Sequence, residues 1–115
     1  MPDRLGDKVR LQHILDAITE IETYTKVATF EEFISNSMMY NATLRQLEII
    51  GEASTRLSDE LKASSAEIPW RSIIRLRNLV IHEYFGVDNF TIWSIIKTNL
   101  PLLKPEINII MEGLD

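Results

Sequence analysis

Apolar residues recur at intervals of three and four positions along most of the chain, and this spacing predicts amphipathic helices. Residues 8–27 form the first such pattern, with charged residues on the opposite side, and residues 37–62 form the longest. A third pattern covers residues 69–85, starting at a proline and ending before a glycine, as helices commonly do. The small and polar residues 63–67 read as the linker between the second and third helices.

A fourth helical pattern follows Asp88 or Asn89, either of which can cap a helix. Proline lacks the N–H that a helix interior uses, so Pro101 and Pro105 are expected to break or kink this helix. The sequence then leaves residues 106–111 as a last helical piece.

Two local signals refine these elements. Thr29 and Glu32 have the spacing of a capping box and predict a short helix after the first long one. Gly51 lies in the middle of the second helix, where glycine costs about 1 kcal/mol relative to alanine. Its presence predicts close approach of another backbone, with the third helix as the candidate; a tolerated surface glycine is the alternative.

The predicted fold class is all-α: an up-and-down bundle of four main helices forming a single domain over residues 1–115. Residues 38–40 and 107–111 add large apolar side chains, more than a small bundle is expected to cover. A homodimer would bury them and would set two copies of the third helix face to face. Packing within one chain is the alternative.

Composition narrows the chemistry. The 115 residues include no cysteine and only two histidines, His13 and His82, far apart in sequence, so neither a disulfide framework nor a metal site is expected. No cofactor is indicated. The first residues lack the apolar segment of a signal peptide, and no apolar run could span a membrane, which predicts a cytoplasmic protein. The net charge of −5 argues against a protein that coats nucleic acid.

The densest chemistry lies in the third helix, which gathers Arg77, Asn78, His82 and Tyr84 within about two turns. On a straight helix Arg77 and His82 point about 140° apart, but they could line opposite walls of one cleft, particularly if a second copy faced the first. Histidine can exchange a proton near neutral pH, and arginine can stabilise a phosphorane. The set would suit metal-independent attack of an RNA 2′-hydroxyl on its own phosphate. A histidine that only caps the helix is the alternative.

Charged neighbours could support this site. Arg71 and Arg75 precede Arg77 closely and suggest a locally basic cleft that would bind RNA, although a solvated basic face is an equal alternative. Glu48 and Glu52 lie one turn apart on the second helix. One of these glutamates is a candidate to orient the histidine or to pair with an arginine; a solvated acidic face is the alternative.

Four residues separate Arg77 from His82; Asn78 directly follows the arginine, and Tyr84 lies two residues after the histidine. This spacing resembles the signature of the HepT toxins, which belong to the HEPN superfamily of helical ribonucleases. The similarity extends over nearly the whole chain. It includes the blocks 10–18, 47–53, Ile68-Pro69-Trp70 and Leu100-Pro101.

This resemblance implies an endoribonuclease toxin of a type VII-like toxin–antitoxin module. Its catalytic pair would be Arg77 and His82, with Asn78 as the polar residue beside the arginine. Its partner would be an MntA-type nucleotidyltransferase antitoxin that adenylylates Tyr84 and silences the enzyme. Relatives of this kind generally work as dimers with the cleft at the interface, and higher assembly is open. The alternative is a non-catalytic helical binding partner of a nucleotidyltransferase.

Overall fold

The computed structural model describes residues 4–81 and 88–114, without the side chains of residues 79–81. Within these residues all regular structure is helical, so the predicted all-α bundle is confirmed. The elements are α1 (Arg4–Thr25), α2 (Phe30–Ser35), α3 (Ser37–Arg56), α4 (Asp59–Ser64), α5 (Trp70–Ile74), α6 (Leu76–Ile81), α7 (Asn89–Ser94), a π-helical segment (Ile95–Asn99) and α8 (Leu100–Leu114).

The pair α1 and α3 forms the centre of the bundle. Leu11, Ile14 and Ile18 of α1 are fully buried and recur at the predicted spacing, as do Leu47 and Ile50 of α3. Other helices pack around this pair: α3 also contacts the short helices α5 and α6, and α8 contacts α1. The core is therefore built from the helical periodicity that the sequence displays.

The short helix α2 begins as predicted. The Glu32 N–H donates to Thr29 Oγ1 at 3.1 Å, and the Thr29 N–H donates to Glu32 Oε1 at 2.8 Å. These reciprocal bonds form the capping box and satisfy backbone donors that a helix start leaves unpaired. The cap of α7 is Asp88, whose Oδ1 accepts from the Phe90 N–H at 2.9 Å.

The prediction of one helix over residues 37–62 was wrong, because α3 ends at Arg56 and a separate helix, α4, begins at Asp59. Leu57 is extended between them, and the Ser58 hydroxyl caps α4 by accepting from the Leu61 N–H at 3.2 Å. The buried Asp7 carboxylate accepts from the Ser58 N–H at 2.8 Å and from its hydroxyl at 2.6 Å. Ser58, hydrogen-bonded to Asp7 of α1, is thus the N-cap of α4 and lies at the break between α3 and α4.

One continuous helix was predicted over residues 69–85, whereas the structure has two helices there, α5 and α6, separated at Arg75. Pro69 precedes the first helical residue as the N-cap rather than occupying it. The predicted close approach at Gly51 is confirmed: a Cβ there would lie 2.7 Å from the Arg77 backbone nitrogen and 3.2 Å from the Ile74 carbonyl oxygen. The two backbones meet at the point where the helix is divided.

The expectation that prolines leave only residues 106–111 helical was wrong, because α8 runs through Pro105 to Leu114. Pro101 is the second residue of α8, and α8 directly follows the π-helical segment. At the junction the Leu100 N–H donates to the Ile95 carbonyl oxygen. Leu103 and Ile107 on either side of Pro105 are buried. Each such side chain contributes about 1.5–3 kcal/mol, enough to offset the backbone bond that a proline removes.

The apolar residues that suggested a dimer are divided between core and surface. Ile107 is fully buried and Met111 packs against the core, whereas Met38 and Ile109 are 83% and 67% exposed. The homodimer stays a prediction. Among the described helices, none combines the length and the apolar character that crossing a membrane requires.

Candidate active-site groove

The predicted site residues that the structure describes lie on two neighbouring elements. Arg77 and Asn78 belong to α6 and are exposed, and Glu52 lies on α3, which packs against α6. His82 and Tyr84 lie outside the described residues. The structure therefore gives the surroundings of the arginine half of the signature.

Arg77 projects into a groove of about 820 Å³ whose two long walls are formed by the first half of α1 and by α3. The groove is lined by Leu5, Gly6, Val9, Arg10, His13, Arg45, Glu48, Ile49, Glu52, Ala53, Arg56 and Arg77. It combines aliphatic side chains with ionisable ones, among them four arginines and two glutamates. Such a surface can bind an anionic ligand that also presents apolar or planar groups.

The Arg77 guanidinium is held by Glu52. Nη1 of Arg77 lies 3.0 Å from Glu52 Oε2, and the other carboxylate oxygen accepts from Arg56 Nε at 3.1 Å. The Arg77 side chain is 50% exposed, so this contact orients it without burying it. A guanidinium has five N–H donors, so a partner at Nη1 leaves others able to face a ligand.

The backbone contact at Gly51 is what brings Arg77 to this groove. Gly51 precedes Glu52 in α3, and its missing side chain lets the Arg77 nitrogen approach within the space that a Cβ would occupy. The arginine of the signature is therefore positioned twice by α3: by close backbone packing and by the neighbouring carboxylate.

The predicted basic cluster is divided by the fold. Arg71 and Arg75 are exposed but are not among the described residues that line the groove with Arg77. Of the partnerships that the sequence left open for Glu48 and Glu52, the structure contains the Glu52–Arg77 pair, while Glu48 pairs with Arg45. The basic surface around Arg77 is supplied by α1 and α3 instead of α5.

Sequence reasoning missed four members of the groove: Arg10, His13, Arg45 and Arg56. A signal was present, because these residues recur at helical spacing within each helix: Arg10 and His13 on α1, and Arg45, Glu48, Glu52 and Arg56 on α3. Each stripe by itself reads as a solvated face. Their relation to Arg77 depends on how the helices pack.

Within residues 4–81 and 88–114 the structure contains no cluster of three or more histidine, cysteine, aspartate or glutamate side chains that could hold a metal ion.

Comparison with known proteins identifies the family. The model of the HepT-like family, described as ribonuclease HepT-like, matches residues 14–110. No solved structure matches the chain.

Several curated relatives carry related names. The chain is 38% identical over 103 residues to a protein of Methanocaldococcus jannaschii named as a putative RNase, covering 90% of this chain and 94% of the relative. It is 43% identical over 94 residues to the "Probable ribonuclease HepT" of Thermococcus cleftensis, covering 82% and 86%. A further M. jannaschii protein, named as a gamma-glutamylcyclotransferase and putative RNase, is 42% identical over 108 residues; the match covers 94% of this chain and 49% of that relative.

Proposed function

The chain belongs to the family of HepT-like ribonucleases and is an RNA endonuclease, and from this membership we propose that it cuts RNA without a metal ion, as the toxin of a toxin–antitoxin module. The observation that carries the proposal is the position of Arg77: half-exposed, at a groove rich in arginine, with its guanidinium oriented by Glu52. This is the environment that a phosphate-binding arginine requires.

The reaction begins with attack of a ribose 2′-oxygen on the adjacent phosphorus. His82 removes the 2′-hydroxyl proton as the new P–O bond forms, and the P–O5′ bond breaks as the 5′-oxygen takes up a proton from solvent water. The products are a 2′,3′-cyclic phosphate and a 5′-hydroxyl. Arg77 stabilises the negative charge that develops on the phosphorane oxygens, and Asn78 positions the phosphate or the imidazole.

Regulation in this proposal acts on Tyr84. An MntA-type nucleotidyltransferase antitoxin attaches AMP to the tyrosine hydroxyl, two residues beyond His82. The modification adds bulk and negative charge beside the cleft and repels an anionic substrate by the same electrostatics that attract it.

The enzyme acts as a homodimer in the cytoplasm. Two copies that place their signature helices face to face can combine Arg77 of one copy with His82 of the other. This arrangement removes the difficulty that the two side chains diverge on one straight helix. The exposed Met38 and Ile109 support association, because a partner would cover apolar surface that the single chain leaves in water.

The decisive experiment is an RNA cleavage assay in EDTA with the wild type, Arg77→Ala, His82→Ala and Tyr84→Phe, each checked for fold by circular dichroism. The wild type is expected to cut. The arginine and histidine variants should lose about 10²- to 10⁴-fold in rate. Tyr84→Phe should cut like the wild type but resist silencing by the nucleotidyltransferase, because it has no hydroxyl to modify.

Two results would contradict this assignment. If the wild type leaves varied RNAs intact, or if the His82→Ala variant cuts equally well, the catalytic roles are wrong. Retained binding of the nucleotidyltransferase without any RNA cleavage would favour the second candidate function, a non-catalytic helical partner of that enzyme.

A further inference from the structure

The groove between α1 and α3 extends well beyond the point where Arg77 enters it. Arg77 meets α3 at Glu52, which also holds Arg56, so these two arginines lie at one end. Arg45 lies seven residues before Glu52 on α3, which is about 10 Å along the helix axis at the rise of an α-helix. A substrate centred on Arg77 would leave this second basic position to contact another part of the same molecule.

The two walls are held together close to the Arg77 end. Asp7 of α1 is hydrogen-bonded to Ser58, two residues past the end of α3, so the first turns of α1 run beside the last turns of α3. Arg10 and His13 lie one turn apart on α1 and line the same groove. The basic side chains therefore face each other across the groove from two rigid helices.

Positive charge exceeds negative charge in this groove, although the whole chain carries −5. Arg45, Arg56 and Arg77 pair with two glutamates, Glu48 and Glu52, so these five groove side chains carry one net positive charge. Glu52 is shared between Arg56 and Arg77, and Glu48 pairs with Arg45, whose side chain is 67% exposed. Exposed ion pairs contribute little stability, so an incoming phosphate can displace Glu48 from Arg45 at small cost.

Aliphatic side chains also line the groove. Val9 is 46% exposed and Leu5 74%, and both line the groove with the half-buried Ile49. Single-stranded RNA presents both kinds of group: charged phosphates and planar bases whose faces pack against apolar surface. A second copy of the chain is disfavoured as the occupant along the length of the groove, because two basic grooves facing each other would repel. The proposed dimer contact is formed instead by the signature helices, at the Arg77 end.

We infer that the α1–α3 groove is the path of the single-stranded RNA substrate, with Arg45 binding a phosphate away from the bond that is cut and His13 binding a phosphate from the α1 wall. The inference rests on the proposed ribonuclease function and adds where the strand lies. It replaces Arg71 and Arg75 with residues of α1 and α3 as the RNA-binding surface.

The test measures RNA binding separately from cleavage. The His82→Ala variant is expected to leave RNA intact, so the fluorescence anisotropy of a labelled single-stranded oligoribonucleotide in EDTA can be followed from 50 to 200 mM KCl. In this background Arg45→Gln, His13→Gln and Glu48→Gln are compared with Lys26→Gln. Lys26 is an exposed cation just past the opposite end of α1 and serves as the matched control.

Arg45→Gln is expected to weaken binding about three- to tenfold and to reduce the slope of log K against log [salt] by about 0.7, the value for one phosphate contact on a single strand. His13→Gln should weaken binding without changing the fold. Glu48→Gln should tighten binding, because it removes the carboxylate that competes for Arg45. Lys26→Gln should bind like the parent.

Other outcomes overturn the inference, and they separate it from the proposed function. If the wild type cuts RNA but Arg45→Gln binds normally while Arg71→Gln or Arg75→Gln binds weakly, the strand crosses α5 and the groove assignment is wrong. If Arg45→Gln binds RNA normally but no longer binds the nucleotidyltransferase, the groove is a protein-docking site. If the wild type neither binds nor cuts RNA, the proposed function fails, and the inference fails with it.

Discussion

At the scale of single residues, Glu52 is the side chain that decides how Arg77 is presented. Its two carboxylate oxygens contact two different arginines, Arg77 and Arg56, at 3.0 and 3.1 Å. All three side chains are more than one third exposed, so the arrangement contributes less than about 1 kcal/mol to folding. Its value lies in orientation, since a guanidinium held at one end adopts fewer conformations when the substrate arrives.

Replacing Glu52 with glutamine is therefore expected to affect turnover more than binding. The weakened hold on Arg77 should lower kcat by about tenfold, because misplacement of a group that contacts the reacting phosphate is costly. KM for RNA should stay the same or fall, since the substitution removes a negative charge from the groove. Steady-state kinetics on a fluorogenic oligoribonucleotide give both constants.

The matched control is Glu31→Gln, an exposed glutamate on α2 that is not among the groove residues. It should leave both constants unchanged. A rise in KM at constant kcat for Glu52→Gln would show that the carboxylate does not position Arg77 for the chemical step.

At the scale of elements, the contact between α3 and the α5–α6 junction determines where the signature arginine lies. Gly51 allows this contact because an added Cβ would meet the backbone nitrogen of Arg77 at 2.7 Å and its Cβ at 3.1 Å. Backbone atoms cannot swing away as the end of a flexible side chain can. A side chain at position 51 must therefore separate the helices.

We expect Gly51→Ala to destabilise the protein by about 1–3 kcal/mol, the usual cost of forcing extra atoms into a packed contact. Alanine has the better helix propensity, so the sign of the effect tests the packing directly. Urea denaturation followed by circular dichroism measures the free energy of unfolding. RNA cleavage by the folded variant should also fall, because Arg77 moves with its helix.

Gly113 supplies the control for this prediction. It also lies in a helix, α8, but an added Cβ there would meet nothing within 4 Å. Gly113→Ala should leave stability unchanged or raise it by up to about 1 kcal/mol. Equal behaviour of the two variants would mean that the contact at Gly51 is loose.

At the scale of the whole molecule, an acidic protein carries a basic groove. The net charge of −5 disfavours general attraction of RNA, whereas the excess of arginine between α1 and α3 favours it locally. A strand should therefore be held at the groove and released elsewhere. This charge pattern suits an enzyme that binds RNA transiently, cleaves it and releases the products.

The proposed dimer can be tested by mixing two inactive variants, Arg77→Ala and His82→Ala. If each cleft combines Arg77 of one copy with His82 of the other, mixed dimers contain one complete site, and random exchange of subunits should restore up to about a quarter of wild-type activity. Sedimentation equilibrium should give twice the chain mass of 13.3 kDa. A monomer in sedimentation, or a mixture that stays inactive although subunits exchange, would contradict a shared cleft.

Much of the fold could be predicted because its causes are local. The buried positions of α1, such as Leu11 and Ile18, recur at the period of a helix, and the capping box of Thr29 and Glu32 spans only four residues. Gly51 also allowed a correct prediction: a glycine inside a helix costs stability, and the close backbone contact that it permits offsets that cost. The roles of Arg77, Asn78, His82 and Tyr84 rest on the signature and its family.

The predictions that failed depended on distant residues. The ending of α3 before Leu57 involves Asp7, which reaches Ser58 from the start of the chain. The continuation of α8 through Pro105 depends on burial against other helices, which outweighs the local cost of proline.

The sequence by itself determined that this protein is helical, where α2, α3, α5 and α7 begin to within one residue, and which residues carry its signature, because helix periodicity, capping and motif spacing act over a few neighbouring residues. Only the tertiary structure decided which charged stripes meet. It placed Arg77 beside Glu52 and in one groove with Arg45 and His13, and it left Arg71 and Arg75 outside the described lining of that groove. The physical reason is that every amphipathic helix has a polar face, and the packing of its apolar face selects the partner that this polar face will adjoin.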